Sequence, residues 1–124
     1  QEFLRTKKGD ENSYNSSDAI NAIDLGFKTT YSDVYNTYKG LIALRKANPA
    51  AFGKNSSASA EKLATGFIKY KTGNFLVYFN ATDETQHIDT MGYAKLIDVS
   101  SGSANESGTI PTEIPAKSFV ILKK

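Results

Sequence analysis

Arg5, Asn12, Tyr14 and Asn15 fall within the first sixteen residues, a stretch rich in polar hydrogen-bonding groups and too irregular to be a core element. Together they are candidates for substrate-side or loop-ordering contacts. Planar guanidinium and amide groups engage hydroxyl pairs, and an aromatic face covers the apolar side of a pyranose. The segment from Gln1 to Ser16, with Asn21-Ala22-Ile23-Asp24 soon after, therefore reads as a site loop. A plainer role stays open beside this one: Asn12 and Asn15 satisfy turn backbone while Arg5 pairs with Asp10 or Asp24.

Other chemistry finds less footing. Asp10, Glu11 and Asp24 offer hard oxygen ligands, but their spacing fits no EF-hand loop, so they read as solvated loop acids and no metal site is assigned. His87 is the single imidazole, beside Gln86 and without a nucleophile motif or acidic cluster, and reads as structural. The absence of Cys removes thiolate nucleophiles, disulfides and Cys-based zinc sites together. Asn15, Asn55, Asn80 and Asn105 each begin a glycosylation acceptor triplet; matches of this kind arise by chance in so Asn- and Ser-rich a chain, and no role is assigned to them.

The chain of 124 residues is long enough for one ordinary domain with a real core. Its Lys and Arg residues are scattered and the net charge is only +2, so the basic stripe of a nucleic-acid binder is missing. No apolar run approaches the roughly 20 residues needed to cross a bilayer. Seven Tyr, seven Phe and no Trp leave any sugar-stacking platform to Tyr or Phe.

The elements that must position the loop follow from periodicity. Asp18 is expected to cap a short turn through Ile23, with Ile20 and Ile23 inward. Tyr31, Val34, Tyr35, Tyr38, Leu41, Ile42 and Arg45 recur at spacings of three and four, predicting a helix from Tyr31 to Asn48 with an apolar stripe on one face, of a width that ordinarily packs on a core, capped by Ser32 or Asp33. Asn48-Pro49 ends it. Residues 53–60 read as a linker. Ala64 to Tyr70 and Phe75 to Phe79 read as a hairpin across Lys71-Thr72-Gly73-Asn74. Phe75, Val77 and Phe79 share one face and Leu76 and Tyr78 the other, which predicts a central strand. Further strands are expected at His87 to Met91, Ala94 to Ser100 and Ser118 to Leu122, an extended edge at Thr112-Glu113-Ile114 between Pro111 and Pro115, and a loop from Ser101 to Gly108.

The start Glu2-Phe3-Leu4-Arg5-Thr6-Lys7, the core Asn12-Ser13-Tyr14-Asn15 and the Asn21-x-x-Asp24 motif together resemble the loop after the eighth barrel strand of type I pullulanases. These are α-1,6-debranching members of the α-amylase superfamily, glycoside hydrolase family 13. Ile114 to Leu122 resembles the closing strand of the small β domain that follows the barrel in that superfamily. One departure is Leu25, where many relatives carry Trp after the motif's Asp, so a packing or sugar contact made by that indole is lost.

The resemblance implies a mainly β chain: an antiparallel β-sandwich at 61–124, a linker at 53–60, and at 1–52 the loop and last helix of a (β/α)8 barrel, the helix's apolar stripe covering the barrel in the parent enzyme and partly exposed in an isolated fragment. It implies α-glucan as substrate, with Arg5, Asn12, Tyr14 and Asn15 on the substrate side and an upstream barrel as partner. The superfamily's nucleophile and general acid stand about 5 Å apart across the glycosidic bond. They lie on earlier barrel strands, so no catalytic residue is expected here and the isolated chain is expected to be inactive. No cofactor is assigned, calcium being a feature open to the parent enzyme, for which an extracellular, cell-surface or periplasmic setting is favoured over a cytoplasmic one. Isoamylase-like or neopullulanase-like relatives remain within the same class. The alternative from another class is a non-catalytic α-glucan-binding or interaction module.

Overall fold

The computed structural model describes residues 2–124. Two short helical turns (Lys7–Gly9 and Ser13–Asn15) are followed by helices α1 (Asp18–Asn21), α2 (Phe27–Thr30), α3 (Ser32–Ala47) and α4 (Pro49–Phe52). Eight strands follow: β1 (Ala58–Ala64), β2 (Phe67–Thr72), β3 (Phe75–Asn80), β4 (Gln86–His87), β5 (Lys95–Asp98), β6 (Asn105–Ser107), β7 (Glu113–Ile114) and β8 (Ser118–Lys123). Six of them form one sheet in the order β1-β2-β3-β8-β5-β6, and β4 and β7 form a separate ribbon. Every neighbouring pair is antiparallel, as the expected mainly β, antiparallel class requires.

Alternation along β3 builds both sides of the core. Phe75 and Val77 pack with Leu44 of α3, Ala51 of α4, and Ile97, Val99 and Ile121. Leu76 and Tyr78 point the other way, to Ile114 of the ribbon, Val120 and Leu122. The strand is central and apolar on both faces, as its sequence pattern predicts. Asn80 closes its end: the buried amide donates to the carbonyls of Glu84 and Pro115, both at 2.8 Å, and accepts from the Thr82 hydroxyl at 2.7 Å, tying three segments together.

Several boundaries differ from the sequence reading, each for a local reason. The expected strand from Ala64 to Tyr70 is broken by a turn at Thr65-Gly66, where Gly66 takes φ +78. The strand before that turn starts at Ala58, inside the expected linker; it is an edge strand exposed along its whole length, so it carries no burial alternation. Within the expected loop after Ser101, Asn105–Ser107 pairs with β5 as the other edge. Of the expected strand from His87 to Met91 only His87 lies in a strand, Gln86–His87, which pairs with Glu113–Ile114. The hairpin between Thr72 and Phe75 is present, with Gly73 at φ +54.

The helices show further corrections. Asp18 lies in the first turn of α1 and makes no cap; Ser17 holds the cap position, the turn ends at Asn21, and Ile23 is exposed. Neither Ser32 nor Asp33 caps α3, because the backbone runs on from α2: the Tyr31 amide bonds to the Phe27 carbonyl and the Tyr35 amide to the Tyr31 carbonyl. Helix α3 leaves part of its apolar stripe exposed. The face against the sheet is centred on Gly40 and Leu44, and Tyr38, Leu41 and Ile42 are exposed. The cause is steric. A Cβ at Gly40 would stand 2.8 Å from the Val99 Cβ and closer still to the Val99 carbonyl oxygen, so the helix approaches at a distance only glycine allows.

Gly40→Ala therefore sets a gain in helix propensity against a clash with backbone that cannot swing aside. The clash is expected to win by about 1–3 kcal/mol, visible as a lower chemical-denaturation midpoint; an equal or higher midpoint would mean that α3 is not held by this contact. At the β5–β6 edge, the Glu106 carboxylate accepts from Lys123 at 2.5 Å and from Lys95. These bonds, Lys123's first, lower its pKa from 4.5 to about 2. A lowered carboxylate pKa adds stability above its unfolded value that is lost as the pH falls through the folded one. Glu106→Gln is expected to flatten the stability profile between pH 4.5 and about 2 and to leave other carboxylates' contributions in place, a difference that pH-stepped urea melts measure.

Candidate functional site

The amino-terminal segment keeps its shape through side chains bonding to backbone. The Arg5 guanidinium donates to the Ile20 carbonyl at 3.2 Å and to the Asn21 carbonyl, gripping the end of α1. From there the Asn21 amide donates back to the carbonyls of Ser13 at 2.6 Å and Ser16 at 2.8 Å. Ser13 is the buried hub, since its hydroxyl also accepts from Lys7. Asp10 closes the turn from the other side, accepting from the Asn12 amide N–H at 3.1 Å and the Ser16 hydroxyl at 2.6 Å. Leu4, Lys7 and Lys8 all hold positive φ between 49 and 54, a backbone cost that non-glycine residues bear where neighbours over-determine the path.

The loop is moored to α3 by aromatic contacts. Phe3 stacks on Tyr35 with centroids 6.0 Å apart and planes at 19°. The Lys28 ammonium stands 4.6 Å from the centroid of the same tyrosine ring.

This frame divides the four expected residues into two kinds. Arg5 works inside the loop, and its partners are carbonyls rather than Asp10 or Asp24; Asp24 instead accepts from the Gly26 amide. Asn12, Tyr14 and Asn15 lie in or beside the Ser13–Asn15 turn, all exposed, with Tyr14 86% open to solvent. Neither the Asn12 nor the Asn15 side-chain amide bonds to another group among the described residues. The turn thus carries an exposed aromatic side chain that lies between two exposed asparagines in sequence. Leu25, 68% exposed, leaves an aliphatic surface on the same segment. Asn21 and Ser13 were not singled out as framework residues by the sequence reading; the signal was the recurrence of Asn and Ser at turn spacing, which does not say which of them faces inward. His87 sits in β4 with Nδ1 3.3 Å from a Glu113 carboxylate oxygen, a cross-strand pair on the surface. No helix among the described residues is long and apolar enough to cross a membrane.

No protein-family profile matches the chain. Over 62 residues, half of its length, it is 47% identical to a pullulanase of Bacillus subtilis (strain 168), of which that stretch is 8%. The chain thus spans a small part of that relative's length. Among solved structures it is similar to the crystal structure of a maltooligosyl trehalose synthase, with a TM-score of 0.48 and 20% identity over 86% of this chain and 14% of that one, a likeness too loose to carry an assignment.

Removing the inner amide in Asn21→Ala leaves the Ser13 and Ser16 carbonyls without their donor and is expected to cost about 1–2 kcal/mol. Tyr14→Ala, at an exposed ring, is expected to change stability by less than about 0.5 kcal/mol. Thermal melts of the two variants, with amide exchange read over residues 10–17, separate framework from display; equal effects would remove the distinction.

Proposed function

We propose that this chain is the C-terminal portion of a pullulanase-type debranching enzyme that hydrolyses α-1,6-glucosidic bonds in pullulan and in starch- or glycogen-derived glucans. The observation that carries the reading is the 47% identity to a pullulanase across half of the chain. The exposed turn of Asn12, Tyr14 and Asn15 supports it, because two amides flanking an aromatic face suit a sugar ring.

On this reading residues 1–52 complete a barrel and residues 61–124 buttress it. The upstream part supplies the acid and the nucleophile, and the hydrolysis runs through them with retention. Asn12, Tyr14 and Asn15 contribute glucan contacts, while Arg5 and Asn21 act as positioning residues that hold the turn at a fixed height. Binding groups of this kind act by placing the scissile bond against the carboxylates, and small displacements are costly in rate.

The test is pullulan hydrolysis, followed by reducing ends, with this chain alone and with the polypeptide encoded by the frame continuing upstream of Gln1. The longer polypeptide is expected to release maltotriose units and this chain to release nothing. In the longer polypeptide Tyr14→Ala is expected to raise KM about tenfold, the equivalent of about 1.4 kcal/mol of lost binding. Hydrolysis by this chain alone would overturn the reading, as would an upstream frame encoding no barrel. Tight α-glucan binding by this chain alone would favour the non-catalytic binding module.

A further inference from the structure

The six-stranded sheet ends on β1, and that edge is open. Residues 58–64 pair only with β2, and every one of them is exposed. The backbone N–H and C=O groups on the outer side of the strand therefore form a template for another strand. A register shift between Lys62 and Ala64 bends β1 there and leaves residues 58–62 as its regular run. Ala58, Ser59 and Ala60 put little bulk on either face of that run. Its two charges have opposite sign, and Glu61 is held at 3.3 Å by Lys69 of β2. The opposite edge of the sheet, Asn105–Ser107, is only 3 residues long.

We propose that β1 pairs with β1 of a second copy of this chain, antiparallel across a two-fold axis at Ala60, so that two sheets become one. The register follows from symmetry and charge. A two-fold axis perpendicular to the sheet keeps each side chain on its own face, so it must pass through a residue and not between two. Ala60 is the midpoint of the run: it meets its own copy, Ser59 meets Glu61, and Ala58 meets Lys62. An axis at Glu61 or Lys62 would set like charges opposite each other, and one at Ser59 would shorten the ladder. Within each copy Glu61 pairs with Lys69 and Ser59 with Lys71. One row across the joined strands therefore runs Lys69, Glu61, then Ser59 and Lys71 of the second copy. Lys71 is exposed and forms no ion pair among the described residues. Two strand spacings put the Glu61 and Lys71 Cα atoms about 10 Å apart, within reach of these long side chains above the short Ser59. The axis repeats the row, so the dimer carries two such contacts. On the other face Ala60 meets Ala60 between the two Tyr70 side chains, an uncharged row. Pairing with the Asn105–Ser107 edge of another copy would run on into a filament, and the Glu106 carboxylate there is already held by Lys95 and Lys123.

So short a ladder is expected to bury less than the roughly 1,200 Å² of a stable interface, which makes association weak and concentration-dependent. Sedimentation equilibrium is expected to show monomer at about 10 μM passing to dimer toward about 1 mM. Ala60→Lys sets two ammonium groups on the axis at an exposed position; it is expected to abolish the dimer and leave the melting temperature unchanged. Lys71→Glu is expected to weaken association roughly fivefold to tenfold, and Glu61→Lys added to it is expected to restore it. The chain holds no cysteine, so single introduced thiols report the register. Mild oxidation is expected to join Ala60→Cys chains through a disulfide. It is expected to leave Lys62→Cys chains unlinked, since the two positions lie roughly 13 Å apart along the strands.

A monomer at every concentration overturns the proposal, as does a dimer that survives Ala60→Lys, which would belong to another surface. Equal cross-linking at the two positions would mean a different register. Species growing beyond the dimer would mean that β1 meets the Asn105–Ser107 edge, and either result rejects the pairing. Failure of the double variant to regain what Lys71→Glu loses would remove the charge row on which the register rests. The cross-linking pair decides the matter without Ala60→Lys if that variant loses stability. None of these outcomes depends on the functional reading above.

Discussion

The close approach of Gly40 to Val99 governs how the helical and β parts of this chain meet. Because residue 40 lacks a side chain, the α3 backbone comes down onto the end of β5, and Leu44, one turn further along, drops into the cluster around Phe75, Val77 and Ile121. Pro49 then starts α4, whose Ala51 and Phe52 extend the same contact; the Phe52 ring meets Phe75 with centroids 4.9 Å apart. The Thr72 hydroxyl donates to the Ala51 carbonyl, so the β2–β3 hairpin and the end of the helical segment are locked to each other. A bulkier residue at position 40 would lift the helix and loosen this whole sequence of contacts.

The residues on which α3 docks, Gly40 and Leu44, lie outside the stripe that periodicity picks out, although the extent of the helix was legible. Tyr31, Val34, Tyr38, Leu41 and Ile42 have the spacing of a core stripe, and periodicity alone assigns the most apolar face to the core. The docking face is instead the one with the smallest residue, because close packing rewards short backbone separation as well as apolar area. Nothing in a hydrophobic pattern distinguishes a stripe that packs within the described residues from one left for another body. The strands were legible to the degree that they are buried: β3 and β8 stand out through Phe75 to Phe79 and Phe119 to Leu122. The edge strands Ala58–Ala64 and Asn105–Ser107 are exposed throughout and spelled with Ala, Ser, Lys, Glu and Asn, a composition shared with loops.

The amino-terminal segment was legible in a different way. Its polarity marked it as an irregular segment, and it folds as a succession of short turns. Their division of labour was not readable, because Arg5 and Asn21 bond to backbone carbonyls, and a carbonyl is present at every position whatever the sequence. Pairings with Asp10 or Asp24 looked more natural on charge alone. Those acids are engaged instead with the backbone amides of Asn12 and Gly26, two residues on in each case, a local geometry that costs less chain entropy than a long-range pair.

Helix α3 joins the amino-terminal loop to a groove beside the sheet. At its amino end Tyr35 holds the loop through the stacked Phe3, and at its carboxyl end Leu41 and Arg45 wall the groove. Some six to ten residues of helix separate these points, about 9–15 Å at 1.5 Å per residue. A helix of that length bends little, so the Ser13–Asn15 turn sits at a defined distance from the groove. Whatever shifts α3 therefore also shifts the turn that carries Tyr14. The loop's internal bonds make this coupling effective, since a turn held by Arg5 and Asn21 transmits the position of the helix instead of absorbing it.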